Sequence, residues 1–186
     1  ERLTHAAETA RNPIGAAPGP ESAKPRLAYV SPYPPNRSGV ADYAAMLLPE
    51  LSEFYDVDVI CAGTDLAVEG GTAGVYDEAW FEQNHGQFDR IIYNMGNSAF
   101  HARMPELLRK IPGIVVLHDF YLSDLFHIIA KEEGDSRSFL QALYRSHGFE
   151  EASLQVRHPE ALATTVATYP ASFSVLAEAQ GIITHN

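Results

Sequence analysis

Residues whose types suit catalysis or binding are concentrated in three polar segments, each directly after an apolar run. These segments are residues 31–39, 94–98 and 118–121. If the apolar runs are parallel strands, their carboxyl ends lie at one edge of a sheet, where open α/β sheets bind ligands. The sequence therefore predicts a ligand crevice to which all three segments contribute.

The first segment ends with Ser38 and Gly39, which lead into a predicted helix. A helix N-terminus attracts anions through its unpaired amide groups, and a glycine there lets a ligand approach the backbone. In the alternative interpretation, Ser38 only caps the helix. The segment is neither GxGxxG nor GxxxxGK[ST], so neither a dinucleotide site nor a P-loop is predicted. Asp42, in the first helical turn, would repel a phosphate and so favours hydroxyl binding.

His118 is the most interesting of the eight histidines because it ends the most convincing predicted strand, 114–117. The neighbouring carboxylate of Asp119 could orient the ring, although adjacent strand residues point to opposite faces. In the alternative interpretation, His118 is a structural histidine with satisfied hydrogen bonds. His101, at the start of a predicted helix, could cap that helix or line the crevice. The sequence has no HExxH spacing and a single cysteine, Cys61, so no metal site is predicted.

Short apolar runs alternate with helical patterns along the chain. The predicted strands cover residues 27–30, 57–60, 75–76, 90–93, 114–117 and 181–184. Helices are predicted around residues 40–51, 100–111, 122–131, 138–146 and 173–179. Pro49 is expected to kink or end the first helix. The alternation predicts an α/β fold, namely a Rossmann-like three-layer domain with a mostly parallel sheet.

Length and composition restrict the class of protein. The 186 residues suffice for one domain, and residues 1–25, rich in proline, glycine and alanine, are predicted to be a linker before a domain at 26–186. The net charge of -11 repels a phosphate backbone, so no nucleic-acid partner is expected. No apolar run approaches the roughly 20 residues of a membrane span, and no signal-peptide pattern is present, which predicts a cytoplasmic protein.

Three stretches carry a family resemblance when they are taken together. They are LAYVSPYPPNRSGVADY at 27–43, YNMGNSAFH at 93–101 and VVLHDF at 115–120. Over about residues 26–186, the chain resembles the N-terminal, acceptor-side domain of bacterial GT-B glycosyltransferases of family 4, the retaining, mannosyltransferase-like group. The resemblance implies that His118 lies beside the transferred sugar as the catalytic residue and that Ser38 and Gly39 face the donor. The residues implied for the acceptor side are Asp42, Tyr43, Asn97, His101 and Asp119.

The resemblance also implies a reaction and its partners. The parent enzyme would move a sugar from a nucleotide-diphosphate sugar to a glycan or lipid-linked acceptor with retention, as in polysaccharide biosynthesis, without a cofactor or a metal. It would be compatible with peripheral membrane association. Since no donor-binding motif follows, the C-terminal donor domain is expected to be absent and the fragment alone inactive. The alternative is a non-catalytic carbohydrate- or nucleotide-binding α/β module, whereas a nicotinamide-dependent dehydrogenase would need a glycine fingerprint that this sequence lacks.

Overall fold

A parallel sheet of six strands forms the centre of the computed structural model, which describes residues 24–62 and 74–185. The strands are β1 (Arg26–Val30), β2 (Asp56–Ile60), β3 (Val75–Tyr76), β4 (Arg90–Met95), β5 (Ile114–Leu117) and β6 (Gly181–Thr184). Their order across the sheet is β3-β2-β1-β4-β5-β6, and every neighbouring pair is parallel. This order is typical of Rossmann-like sheets and confirms the predicted fold class.

Helices connect the strands and cover both faces of the sheet. They are α1 (Gly39–Ser52), α2 (Glu78–Asn84), α3 (Met104–Lys110), α4 (Ser123–Glu133), α5 (Arg137–His147), α6 (Phe149–Arg157), α7 (Leu162–Thr168) and α8 (Phe173–Leu176). Short 3-10 turns cover residues 85–87, 99–101 and 159–161. Strand residues buried by helices on both sides must be apolar at consecutive positions, which explains the continuous apolar runs.

Strand alternation divides the core into two clusters, one on each face. On the first face, Tyr29 and Val59 pack with Ala44 and Leu48 of α1. On the second face, side chains of β1, β4 and β5 pack with residues of α2, α3, α4, α5 and α8. These two faces are called the α1 side and the α4 side below. The sheet between two helical layers is the three-layer arrangement that the sequence predicts.

The helical predictions are less complete than those for the strands. Helix α1 does not end at Pro49 but continues to Ser52. Pro49 lies in the last turn of α1. The residues after it still form hydrogen bonds, including those from the amides of Phe54 and Tyr55 to the carbonyl of Leu51. Helices α2, α6 and α7 were not predicted, and α8 ends at Leu176 rather than near residue 179.

Some predictions fall outside the described residues. The predicted linker at 1–25 does so except for Lys24 and Pro25, which lead directly into β1, so it stays a prediction. Within the described ranges, no helix combines the length and the apolar character that crossing a membrane would require.

Candidate functional site

The carboxyl ends of β1, β4, β5 and β6 lie side by side at one edge of the sheet. The register aligns Val30 with Tyr93, Asn94 with Val116, and Leu117 with Thr184. The three polar segments predicted from the sequence therefore meet, and β6 adds a fourth strand end. The direction of the chain order reverses between β1 and β4, and such a switch point is where open α/β sheets bind ligands.

His118 directly follows β5 and is half-buried on the α1 side. Its Nε2 donates a hydrogen bond to Oδ1 of Asn94 at 3.1 Å. The Tyr43 ring of α1 stands edge-on to His118 with centroids 4.9 Å apart, and the His185 ring also lies 4.9 Å from it. Tyr43 and His185 contact each other as well, at 5.3 Å. His118 therefore belongs to a cluster of three rings.

The surroundings of His118 keep its ring neutral near pH 7. Burial lowers the pKa of His118, the nearby His185 lowers it further, and Asp119 opposes this effect. Burial outweighs the carboxylate because removing an imidazolium from water is costly. A neutral imidazole can both donate and accept a hydrogen bond, which suits it to binding hydroxyl groups.

Two buried polar groups lie behind His118. Asn94 is completely buried near the end of β4, and the hydroxyl of Tyr29 in β1 is buried beside it. Burial raises the pKa of Tyr29, and a hydrogen bond with the Asn94 side chain partly opposes that rise. A buried asparagine needs polar partners, and here these partners are His118 and Tyr29.

Asp119 faces the α4 side and braces a neighbouring loop. Its Oδ2 accepts a hydrogen bond from the amide of Asn97 at 3.1 Å. The Asn97 side chain in turn reaches the start of α4, where Oδ1 accepts from the amide of Leu125 at 2.8 Å and Nδ2 donates to Asp124 at 3.4 Å. The ring of His118 is thus held by Asn94, not by the adjacent carboxylate. Through these two contacts, the Asn97 side chain stabilises the start of α4.

His101 is buried on the α4 side, with 1% of its surface exposed. Its Nδ1 lies 3.0 Å from Oγ of Ser98, whereas its Nε2 has no partner among the described residues. Burial lowers the pKa of His101 to about 4, although the hydrogen bond from Nδ1 to the backbone carbonyl of Ser98, at 3.3 Å, opposes this. A Cβ atom on Gly96 would lie 2.8 Å from Cε1 and 2.9 Å from Nε2 of this ring. Gly96 therefore provides the space that His101 occupies beneath the loop.

The first polar segment places an open helix start beside the three-ring cluster. Ser38 caps α1, since its Oγ accepts from the amide of Ala41 at 3.1 Å. Gly39 is exposed, and a Cβ there would meet nothing within 4 Å. Together with the exposed Asp42, these residues line an open depression of about 420 Å³. Tyr43, one turn further along α1, connects this depression to His118.

Sequence reasoning missed two members of this site. It placed Asn94 in a loop, whereas Asn94 lies inside β4, and it gave His185 no role. The strand register would have revealed both. His118 lies two residues beyond the Val116 that aligns with Asn94, and the alignment of Leu117 with Thr184 brings His118 beside His185. For the other predicted site residues, the structure gives the positions above, and their binding roles stay predictions.

A larger cavity, of about 700 Å³, lies between α3, α4, α5 and α8. Its walls carry charged side chains of both signs, among them Arg103, Arg145, Glu132 and Glu178. Arg145 and Glu178 are paired at 3.2 Å. Among the described residues, no group of three or more His, Cys, Asp and Glu side chains is arranged to hold a metal ion. The strand-end site, with its aligned polar groups and half-buried histidine, is the stronger candidate for chemistry.

No protein-family model matches the chain, and no curated protein matches it. Among solved structures, it is similar to the glycosyltransferase SnogD from Streptomyces nogalater, with 17% sequence identity and a TM-score of 0.34. The match covers 90% of this chain and 47% of SnogD, so the chain spans about half the length of that protein. Because the TM-score is low, the fold class rests on the strand order and register given above.

Proposed function

We propose that this chain is the acceptor-side domain of a retaining GT-B glycosyltransferase that uses a nucleotide-diphosphate sugar. The observation that carries the proposal is the position of His118. This half-buried, neutral imidazole lies at the ligand-binding edge of the sheet, between Asn94 and the rings of Tyr43 and His185. The three sequence stretches that resemble family 4 enzymes surround this same edge.

The charge of His118 fits the reaction. Glycosyl transfer breaks the bond from the anomeric carbon to the diphosphate and forms one to an acceptor hydroxyl oxygen, so positive charge develops on the sugar. A neutral His118 can hydrogen-bond a sugar hydroxyl without placing a like charge beside that cation. Burial and His185, which lower the pKa of His118, therefore favour the proposed chemistry.

The start of α1 fits the other half of the charge separation. Negative charge develops on the departing diphosphate, and a helix N-terminus offers amide groups and the positive end of a dipole. At Gly39 the backbone is open to such an approach, because nothing lies within 4 Å of the Cβ position. The exposed carboxylate of Asp42 lies in the same depression and is better suited to acceptor hydroxyls than to phosphate.

The partners follow from this division of roles. A second, donor-binding domain would supply most of the contacts to the nucleotide, so this chain alone is expected to be almost inactive. The acceptor would be a glycan or a lipid-linked sugar, with cytoplasmic transfer and peripheral association at a membrane. No resident metal is part of the proposal, and transfer is expected to persist after chelation with EDTA.

The test is His118→Ala in the full-length protein that carries this domain. Loss of a positioned imidazole is expected to lower kcat/KM for sugar transfer by about 100-fold or more. The matched control is His85→Ala, because His85 is exposed and precedes β4, at the opposite edge of the sheet. Unchanged turnover in the folded His118→Ala protein would contradict the catalytic proposal and favour a non-catalytic carbohydrate- or nucleotide-binding module.

A further inference from the structure

We propose that Asn94 is a positioning residue that fixes the tautomer of His118, so that Nδ1 is the ring atom offered to a ligand hydroxyl. The tautomer follows from the hydrogen bond alone, whereas the role toward a sugar hydroxyl rests on the proposed function. Asn94 contacts no reacting atom in this scheme and acts through His118.

The hydrogen bond determines which ring nitrogen carries the proton. An amide oxygen can only accept, so Nε2 of His118, at 3.1 Å from Oδ1 of Asn94, must be the donor. In a neutral ring the other nitrogen, Nδ1, then has a free lone pair and is an acceptor. A ligand hydroxyl that meets this ring is therefore expected to donate to Nδ1.

The burial of Asn94 suits a positioning role. The side chain is 0% exposed, as is that of Tyr29, with which the Asn94 side chain also forms a hydrogen bond. An apolar residue aligned with Val116 would fill this strand position without needing polar partners. The contact with His118 gives the buried amide a purpose that packing does not.

His147 serves as an internal reference with the opposite tautomer. Its Nε2 accepts a hydrogen bond from the amide of Ala171 at 3.1 Å, so the neutral ring must carry its proton on Nδ1. The same chain thus contains two histidines for which the hydrogen bonds specify opposite proton positions.

The experiment measures side-chain ¹⁵N shifts of the histidines by long-range ¹H–¹⁵N NMR on this chain at pH 8. We expect His118 to show the Nε2–H pattern with a directly observable ring N–H signal, and His147 the Nδ1–H pattern. In Asn94→Ala, the His118 signal is expected to be lost and its shifts to move toward the average of both tautomers, while those of His147 stay unchanged. An Nδ1–H pattern for His118 in the wild type would overturn the proposal, as would unchanged His118 shifts in Asn94→Ala.

A conservative variant separates positioning from packing. Asn94→Asp keeps an acceptor oxygen at the same place, so the Nε2–H pattern should return. The new carboxylate should also raise the pKa of His118 in an NMR titration. It would act in the same direction as Asp119 and against burial and His185, while Tyr43 is the other titratable group in contact with the ring. If Asn94→Asp failed to restore the pattern, the tautomer would not depend on this contact.

Turnover of the full-length protein tests the second half of the inference. Asn94→Ala is expected to lower kcat by about tenfold, as for one lost hydrogen bond, and to change KM little. If the NMR result holds and kcat is unchanged, Asn94 still fixes the tautomer, but the role of Nδ1 in sugar transfer fails. If His118→Ala also leaves turnover intact, the proposed function itself fails.

Discussion

The two sides of the sheet edge use histidine in opposite ways. On the α1 side, His118 is half-buried, hydrogen-bonded by Asn94 and surrounded by the rings of Tyr43 and His185. On the α4 side, His101 is buried to 1% exposure, and one of its nitrogens has no partner among the described residues. Both rings belong to segments that follow neighbouring strands. The helix layer that covers each ring therefore decides whether it can meet a ligand.

The same division separates the neighbours of the two histidines. His118 and Asp119 are adjacent in the chain, yet the first contacts Asn94 and the second the amide of Asn97. Strand alternation sends them to opposite sides, so the carboxylate braces a loop while the imidazole faces the crevice. Polar residues at a strand end are thus divided between the crevice and the support of a loop, and the following predictions test this division.

The largest expected effect is a loss of stability in acid caused by His101. Burial lowers the pKa of His101 from 6.5 to about 4, so the folded chain keeps the ring neutral while the unfolded chain takes up a proton. The contribution of the neutral ring to the free energy of unfolding is complete above pH 6.5 and is lost as the pH falls toward 4. The total loss is about 3 kcal/mol. Urea unfolding of the wild type and His101→Gln between pH 7.5 and 4.5 measures the difference.

His118→Gln is the matched control for that experiment. The pKa of His118 is also lowered, but its ring is only half-buried. Replacing His118 should therefore reduce the pH dependence of the unfolding free energy less than replacing His101 does. Equal slopes of unfolding free energy against pH in the wild type and His101→Gln would contradict the assignment of this acid sensitivity to the α4 side.

The next largest effect is expected from Gly96→Ala. The added Cβ would lie within 3.0 Å of two atoms of the buried His101 ring, which cannot move away freely. Overpacking of this kind costs about 2 kcal/mol. Gly86→Ala is the control, because a Cβ at that exposed glycine meets nothing within 4 Å. Equal unfolding free energies for the two variants would show that the loop yields, and a change in the His118 NMR signals would show that the two sides are coupled.

The sequence predicts the strands well because their burial leaves a simple pattern. The runs of β1, β4 and β5 are mostly buried between the helical layers, and all six runs pair in one parallel sheet, although the isoleucines of the edge strand β6 are exposed. Helix α6 leaves no such pattern. It buries Gln155 while Leu154 and Val156 are exposed, so its apolar residues do not mark the packed face. Helix periodicity could not reveal a helix whose inner face is polar.

The candidate site is predictable in its location but not in its contacts. Strand ends alone identify His118 and the segment with Ser38 and Gly39, because parallel strands end at one edge. The partner of His118 depends on which strands are neighbours and in which register, and no local pattern contains that information. Asn94 and His185 are identified as neighbours of His118 only once the strand order β4-β5-β6 is known.

Asn97→Ala is expected to lower the stability of the fold by a smaller amount, through the loop that supports the start of α4. The substitution removes the oxygen that accepts from the amide of Leu125 in the first turn of α4. Loss of a helix cap typically costs about 1 kcal/mol. Thermal unfolding should report this loss, and Asn97→Asp should recover part of it, since the new carboxylate keeps an acceptor but lies near Asp124. A loss of sugar transfer with no loss of stability would instead assign Asn97 to the acceptor.

The smallest expected change in stability is that of Gly39→Ala, on the α1 side. The Cβ meets no atom within 4 Å, and alanine favours the helix, so the free energy of unfolding should change by less than about 1 kcal/mol. Ser38→Ala is the contrasting variant, because it removes the cap to Ala41 and should cost about 1 kcal/mol. If a ligand phosphate approaches this backbone, Gly39→Ala should weaken nucleotide-sugar binding by the full-length protein, measured by calorimetry. Unchanged binding in Gly39→Ala would leave Ser38 and Gly39 as a helix start alone, and the α1 side would then be reduced to His118 and its neighbours.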